Sequence, residues 1–209
     1  MAFSLAVAQA GIGSPWDDLI VAQAGDRGLA MLVKAVIAHE SQWNPNAENP
    51  ADPSVGLMQL LVGPGGPYPS LSASALLEPS TNIVLGTRHL VSLVARYGLT
   101  PDAIAAYNAG SPRKNSANQY VNSVGDPMVQ RYVDSVQTYW AWYMNNDPLF
   151  GAPSEGATYT DEAWGPSESL DLFQSIDTMQ IATATVGSLI SVGVLALLGL
   201  VVLSRGGTD

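Results

Sequence analysis

Glu40 is the residue whose surroundings point most clearly to chemistry. The apolar residues before it recur at spacings of three and four, as on one face of a helix: Leu29, Leu32, Val33, Val36 and Ile37. Pro45 then stops that helix shortly after Glu40. A carboxyl at the end of an apolar helix can retain its proton through desolvation, and it can then serve as a proton donor and acceptor. We therefore predict that Glu40 lies where a helix ends and a cleft begins.

Other common catalytic groups find little support in the sequence. The chain has no cysteine, which excludes thiol nucleophiles, thiolate metal sites and disulfides. His39 and His89 belong to no metal-binding motif, so we interpret both as ordinary packed or surface residues and predict no metal or cofactor. A Gly-x-Ser-x-Gly elbow is absent, and the glycine-rich segment 63–67 lacks the lysine of a phosphate-binding loop. The eight Lys and Arg residues are scattered in a chain of net charge −10, which argues against a nucleic-acid partner.

The elements that position Glu40 are predicted to be mainly α-helical. A short helix is expected after Pro15, and longer ones at about 81–97, 102–109 and 127–145. Strand signals are nearly absent, and residues 43–80 are predicted to be mostly loop. Residues 1–14 lack the basic start of an export signal, so we assign them to an N-terminal extension that precedes a domain at 15–145; an atypical export signal is the alternative.

The composition changes after this domain. Residues 146–180 contain seven acids and no Lys or Arg, which predicts an extended acidic linker. Residues 181–203 then carry no charge, and a helix of this length spans roughly 35 Å, enough to cross a bilayer. We predict a single apolar, transmembrane-like helix followed by a tail at 204–209; burial within a protein assembly is the alternative. Arg205 weakly favours a cytoplasmic C-terminus, with the domain on the other side.

Five blocks of the sequence, taken in order, resemble the successive motifs of the soluble lytic transglycosylase-like (SLT) family of the lysozyme-like superfamily. They are Glu40-Ser41-Gln42-Trp43-Asn44-Pro45-Asn46-Ala47, Gly56-Leu57-Met58-Gln59-Leu60, Asn82-Ile83-Val84-Leu85-Gly86, Ala103-Ile104-Ala105-Ala106-Tyr107-Asn108-Ala109-Gly110 and Tyr132-Val133-Asp134-Ser135-Val136. The resemblance covers roughly residues 15–145, and the order and spacing of five blocks make it specific. It leaves the linker and the apolar segment without a counterpart.

The resemblance implies a lysozyme-like helical fold and a peptidoglycan lytic transglycosylase, whose partner is the glycan strand of the cell wall. Such enzymes cleave the β-1,4 bond between N-acetylmuramic acid and N-acetylglucosamine without water, leaving a 1,6-anhydromuramic end. One carboxyl suffices where the sugar's own acetamido group supports the developing cation. By this resemblance Glu40 is the catalytic residue, first as acid and then as base.

The same resemblance implies a set of substrate-binding residues. Ser41 would orient the acetamido group, Gln59 and Asn108 would contact the glycan, and Met58 would form a wall of the cleft. The phenol of Tyr107 would lie close enough to hydrogen-bond Glu40. Taken alone, each has a plainer reading: Ser41 as a helix-end cap, Met58 and Gln59 as packing residues, Tyr107 as a core aromatic.

Other parts of the sequence also bear on the site. Trp43 and Tyr132 are further candidates, with a structural role as the alternative. The segment 61–67 departs from the family pattern, which puts glycan subsites near it in doubt. Asp52, which precedes Pro53, is interpreted as a turn residue rather than as a second catalytic carboxylate.

Two other functions stay open at this point: a hydrolytic lysozyme on the same fold, and a non-catalytic virion or envelope protein that binds peptidoglycan. For location we expect either a membrane anchor, with the catalytic domain facing the wall, or a virion component. The lack of a convincing export signal favours a phage protein that opens the wall locally during DNA delivery.

Overall fold

The computed structural model describes residues 3–149, and this part of the chain is mainly helical, as predicted. Its helices are α1 (Leu5–Ala10), α2 (Asp17–Ala24), α3 (Arg27–Glu40), α4 (Ala73–Leu77), α5 (Pro79–Tyr97), α6 (Pro101–Ala109) and α7 (Met128–Asn146). Two short antiparallel strands, β1 (Ser54–Val55) and β2 (Leu60–Leu61), form a hairpin between α3 and α4. The four longest helices lie close to the predicted bounds. A clear apolar period marks α3, α5 and α7, whereas α6 is marked by a run of small residues between Pro101 and Gly110.

Helix α3 is the central element of the described domain. Asp26 caps its N-terminus by accepting a hydrogen bond from the backbone N–H of Leu29, at 3.0 Å. Every residue from Leu29 to Ala38 is buried. A helix that is buried all round lies inside the fold rather than on its surface, and α7, α2, α1 and α5 pack against it. Glu40 is the last residue of α3, so the core of the domain leads directly to the candidate catalytic carboxyl.

A buried cation fastens the neighbouring helices to α3. The ammonium of Lys34, which is 0% exposed, lies 2.8 Å from the carboxylate of Asp17 and 2.5 Å from that of Asp147. The rings of Trp43 and Tyr143 flank the same ammonium, with centroids at 5.9 and 5.7 Å. Losing one partner of a buried ion pair typically costs roughly 3–5 kcal/mol. This cluster therefore ties the start of α2 and the end of α7 to the helix that carries Glu40.

Two short helices escaped prediction because they are held by tertiary contacts. Residues 5–10, assigned above to an N-terminal extension, form α1, and the backbone N–H of Ser4 donates to the hydroxyl of Tyr139 on α7 at 3.0 Å. Helix α4 has only five residues and packs against α5. Helices this short are marginal without such packing and carry little periodicity.

The hairpin β1–β2 was also missed, since strands of two residues are too short to show an alternating pattern. Val55, Leu60 and Leu76 form a small apolar core beneath it. Asn82 of α5 is fully buried there and makes three hydrogen bonds: it accepts from the N–H of Met58 at 2.7 Å, and it donates to the carbonyls of Val55 and Leu76 at 3.0 and 2.7 Å. One side chain thus fixes the hairpin to α4 and α5.

The linker was predicted to begin at residue 146, but Asn146 ends α7, and Asp147 is buried against Lys34, so both belong to the domain. The rest of the predicted linker from residue 150 onward, the apolar segment 181–203 and the tail lie outside the described residues. Within residues 3–149, no helix is both long enough and apolar enough to span a bilayer.

Candidate active site

The carboxyl of Glu40 lies at the wall of an open cavity of about 720 Å³. This volume falls within the usual range of ligand-binding clefts, roughly 300–1,000 Å³. Several elements contribute side chains or backbone to its wall. They are the end of α3 (Glu40), the segment leading into β1 (Asn49, Asp52, Ser54), the hairpin (Gln59, Leu60, Leu61), the following loop (Gly65, Gly66, Pro67), α5 (His89), the end of α6 (Ala106 to Gly110) and the start of α7 (Met128).

Burial dominates the acidity of Glu40. Desolvation of the charged form raises the pKa of this carboxyl from its ordinary 4.5 to about 7. The negative charge of Asp52 acts in the same direction, whereas a hydrogen bond from Tyr132 lowers the pKa. Glu40 can therefore carry its proton close to neutral pH, which is the property that a general acid requires.

Tyr132 of α7 is the hydrogen-bonding partner of Glu40. Its hydroxyl donates to Oε1 of the carboxyl at 2.8 Å, and only 5% of the residue is exposed. The ring packs edge-on against His39, with 4.6 Å between centroids, and Nδ1 of His39 is 2.8 Å from the hydroxyl of Ser135. Burial lowers the pKa of His39 to about 4, so the imidazole is neutral and supports the phenol by packing, in keeping with its interpretation as an ordinary histidine.

The chain turns sharply just after Glu40. Gln42 and Trp43 have φ values of 54° and 68°, in the left-handed region that residues other than glycine seldom adopt. Trp43 holds this turn: its indole N–H donates to the hydroxyl of Tyr143 at 3.0 Å, and its ring stacks on Trp16 at 6.3 Å. The turn carries the backbone away from the carboxyl and leaves it at the cavity wall.

Three predicted binding residues, Gln59, Tyr107 and Asn108, line the same cavity as Glu40. The amide of Gln59 donates to the carbonyls of Ala47 and Gly56 at 3.1 and 2.9 Å, so its nitrogen braces the hairpin. Asn108, at the end of α6, is exposed. The structure therefore brings residues from three separate sequence blocks to one cleft.

Two predicted details of the site need correction. Met58 is 0% exposed and does not line the cavity, so it is a packing residue rather than a cleft wall; its side chain fills the space beside Gly86. The hydroxyl of Tyr107 donates to the backbone carbonyl of Met58 at 2.9 Å, and the phenol bound to Glu40 is that of Tyr132. Tyr132 reaches the acid because α7 packs along α3, a relation that no local pattern encodes.

Ser41 directly follows Glu40 in the chain, but its side chain is bonded to the end of α3 and does not face the cavity. It is 7% exposed, and its hydroxyl donates to the carbonyl of Ile37 at 3.1 Å. This is the helix-end arrangement that its residue type alone predicts. Its side chain does not contribute to the cavity wall.

Two polar residues of the cleft were assigned only plain roles from the sequence. His89 lines the cavity and packs against Tyr107, with 5.4 Å between ring centroids, and burial lowers its pKa. Asp52 is a turn residue, as predicted, since it accepts from the backbone N–H of Ser54 at 3.0 Å. It also lines the cavity, which follows from the path of the loop and not from the Asp-Pro signal.

Within residues 3–149 the architecture is helical and lysozyme-like, and it places the desolvated carboxyl of Glu40 at the wall of an open cleft. The family model of the transglycosylase SLT domain matches residues 17–128, more than half of the 209-residue chain. The chain therefore belongs to the transglycosylase SLT domain family.

Named relatives and a solved structure agree with this assignment. The soluble lytic murein transglycosylase of Escherichia coli (strain K12) is 33% identical over 147 residues, covering 60% of this chain and 23% of its own. That of Salmonella typhimurium (strain LT2) is 34% identical over 127 residues, or 52% of this chain and 20% of its own. A structure of the 70-kDa soluble lytic transglycosylase in complex with bulgecin A matches with a TM-score of 0.51 and 25% identity, over 73% of this chain and 27% of that one. The chain thus spans about a quarter of the length of these relatives.

Replacing Glu40 with Gln is expected to stabilise the domain at alkaline pH. In the folded state the carboxyl has a pKa of about 7, against 4.5 without burial. The stability of the wild type must therefore fall as pH rises from 4.5 to 7, because the folded state retains a proton that the unfolded chain releases. Gln cannot ionise, so Glu40→Gln should be more stable than wild type at pH 8 by on the order of 2 kcal/mol, with little difference at pH 4. Urea unfolding at the two pH values measures this.

Glu78→Gln provides a control of opposite sign. Glu78 caps α5, and hydrogen bonds from Ser80 and Thr81 lower its pKa to about 2, so its loss should destabilise the domain at neutral pH. A Glu40→Gln variant that differs from wild type equally at both pH values would contradict the assigned desolvation.

Proposed function

We propose that this chain is a peptidoglycan lytic transglycosylase, which cleaves the β-1,4 bond between N-acetylmuramic acid and N-acetylglucosamine. The observation that carries the proposal is the placement of the Glu40 carboxyl at the wall of an open cleft, where it accepts a hydrogen bond from Tyr132 and where burial raises its pKa. Membership of the SLT domain family and its similarity to soluble lytic murein transglycosylases support the same reaction.

In the first step Glu40 acts as the acid. Its proton passes to the glycosidic oxygen as the bond from that oxygen to the muramoyl C1 breaks, and the N-acetylglucosamine residue leaves with a free hydroxyl. The muramoyl 2-acetamido group supports the positive charge at C1. The hydrogen bond from Tyr132 strengthens as Glu40 becomes a carboxylate, since bonds to charged acceptors are the stronger ones.

In the second step the same residue acts as the base. The muramoyl C6 hydroxyl attacks C1, and its proton returns to the carboxylate of Glu40. The bond formed replaces the bond broken, no water is consumed, and the product carries a 1,6-anhydro ring. A single carboxyl thus completes the cycle and ends in its starting protonation state.

Several polar side chains of the cleft wall are available to the glycan. Tyr107, Asn108 and Gln59 line the cleft, and we assign sugar contacts to the exposed amide of Asn108 and to the amide oxygen of Gln59. We assign no sugar contact to Ser41, because its side chain lies outside the cavity wall and its hydroxyl donates to the carbonyl of Ile37.

Digestion of purified sacculi, followed by mass spectrometry of the released muropeptides, tests the proposal. We expect wild-type protein to release anhydromuramic ends and Glu40→Gln to lose at least a thousandfold in rate, because no other group replaces the acid. Glu48→Gln, an exposed acid of the adjacent loop, is the matched control and should keep full activity. Reducing ends in place of anhydro ends would make the chain a hydrolytic lysozyme. Equal rates for wild type and Glu40→Gln, or no release by either, would remove Glu40 from the reaction and favour a binding protein.

Tyr132→Phe should change both the rate and its pH dependence. The hydrogen bond from Tyr132 lowers the pKa of Glu40, so its loss raises that pKa further above the ordinary value. Activity depends on the acid form and should decline at a higher pH than in wild type, with kcat reduced roughly tenfold because the carboxylate loses a donor. A pH–rate profile measures both effects, with Tyr97→Phe as the control. An unchanged pH limb would show that Tyr132 acts on packing alone.

The location of this activity is a separate proposal that rests on sequence alone. We propose that the uncharged segment 181–203 anchors the chain in a membrane or a virion, with the acidic stretch as a tether, so that the domain opens the wall locally, as phage DNA delivery requires. Full-length protein should float with liposomes and resist carbonate extraction. Leu195→Arg, which places a charge near the middle of the segment, should weaken this association. Full-length protein that stays soluble without detergent and binds no liposomes would refute the membrane anchor.

A further inference from the structure

We propose that Asp52 is a second functional carboxylate of this site, whose negative charge stabilises the positive charge that develops at the muramoyl C1. The inference rests on the reaction proposed above, and it assigns to Asp52 a role beyond the turn in which it lies. The proposed reaction needs only one carboxyl to move protons, so this role is additional to that of Glu40.

Asp52 and Glu40 reach the same cavity from different elements. Glu40 ends α3, and Asp52 lies in the loop that leads from α3 to β1; both line the cavity wall. The charge of Asp52 is also one of the causes that raise the pKa of Glu40, so the two carboxyls are within electrostatic reach. A sugar bound beside Glu40 would therefore lie in the field of Asp52.

The carboxylate of Asp52 is held in place before any ligand binds. Its Oδ1 accepts from the backbone N–H of Ser54 at 3.0 Å, and its Oδ2 accepts from the side-chain amide of Asn49 at 3.1 Å. The loop is closed by the N–H of Asn49, which donates to the carbonyl of Ser54 at 3.0 Å, and by the N–H of Val62, which donates to the carbonyl of Pro53 at 2.9 Å. A charge fixed in this way need not reorganise as the cation forms, which is the main advantage of preorganised electrostatics.

The described cavity wall contains no Lys or Arg that could neutralise the charge of Asp52. Burial lowers the pKa of His89, another residue of the wall, so that its ring is neutral near pH 7. Water screens the exposed carboxylate of Asp52 while the cleft is empty. A bound glycan displaces that water, and the attraction between carboxylate and developing cation strengthens in the drier site.

The two acids have different surroundings, as a division of roles requires. Glu40 is desolvated and holds a proton to donate, whereas Asp52 is exposed and accepts hydrogen bonds from two N–H donors. Pairs of carboxyls in contrasting environments serve in this way in glycoside cleavage, one as the acid and one as a charged stabiliser.

The test is steady-state kinetics of Asp52→Asn on a defined muramoyl–glucosaminyl oligomer, over a range of pH. Asn keeps an oxygen to accept from Ser54, so the turn is retained while the charge is removed. We expect kcat to fall between tenfold and a hundredfold with KM changed less than about threefold, because a fixed charge aimed at the transition state acts on kcat. The pH at which activity declines should also move lower, since Glu40 loses a neighbouring negative charge. Asp18→Asn, an exposed residue outside the cavity wall, is the matched control with the same change of charge.

Asp52→Ser keeps the inference testable if Asp52→Asn fails to fold, because serine can form the same kind of turn without a charge. Wild-type kcat and an unmoved pH limb in a folded variant would overturn the inference while leaving the proposed function intact. A reduced kcat with an unmoved pH limb would assign Asp52 to the turn alone and also overturn it. If wild-type protein releases no product, the proposed function fails, and this inference fails with it.

Discussion

Desolvation of one carboxyl, limited by one hydrogen bond, is the constraint on which the rest of this structure depends. Burial raises the pKa of Glu40 to about 7, and the hydroxyl of Tyr132 limits the shift while it fixes the carboxyl in space. Without burial the acid would be ionised at neutral pH and could not protonate a leaving oxygen. With burial but without Tyr132 the carboxylate formed midway through the reaction would lack a donor. Both conditions need α3 and α7 to be in register, and the packing of these two helices dominates the described domain.

Three buried side chains, those of Lys34, Trp43 and Asn82, hold the elements around Glu40 in place. Lys34, buried between two carboxylates, holds α2 and α7 to α3. Trp43 keeps the chain turned away just after the acid, although its own backbone lies in the left-handed region. Asn82 makes three hydrogen bonds that hold the β1–β2 hairpin, which forms another wall of the cleft. Each link is a buried polar group with its partners nearby, and such groups are costly to disrupt.

The sequence predicted those parts of the fold that local patterns encode. Helix α3 and its end at Glu40 follow from apolar spacing and a proline, and α5, α6 and α7 follow from similar signals. The sequence could not show that Tyr132 rather than Tyr107 donates a hydrogen bond to Glu40. Both are aromatic residues on helices, and which of them reaches the carboxyl depends on how α7 packs along α3. Nor could the sequence show that Met58 faces inward while Gln59 faces the cleft, because this is decided by a hairpin of two-residue strands. Asp52 was predicted correctly as a turn residue, yet only the path of its loop brings it to the cavity.

The proposed reaction requires Glu40 to hold its proton near neutral pH in the folded protein. The most direct measurement is a pH titration of the Glu40 side-chain carboxyl by carbon-13 nuclear magnetic resonance, with the resonance assigned by its absence from Glu40→Gln. We expect a midpoint near 7, well above the ordinary value of 4.5. A midpoint near the ordinary value of 4.5 would show that the carboxyl is solvated and would contradict the account.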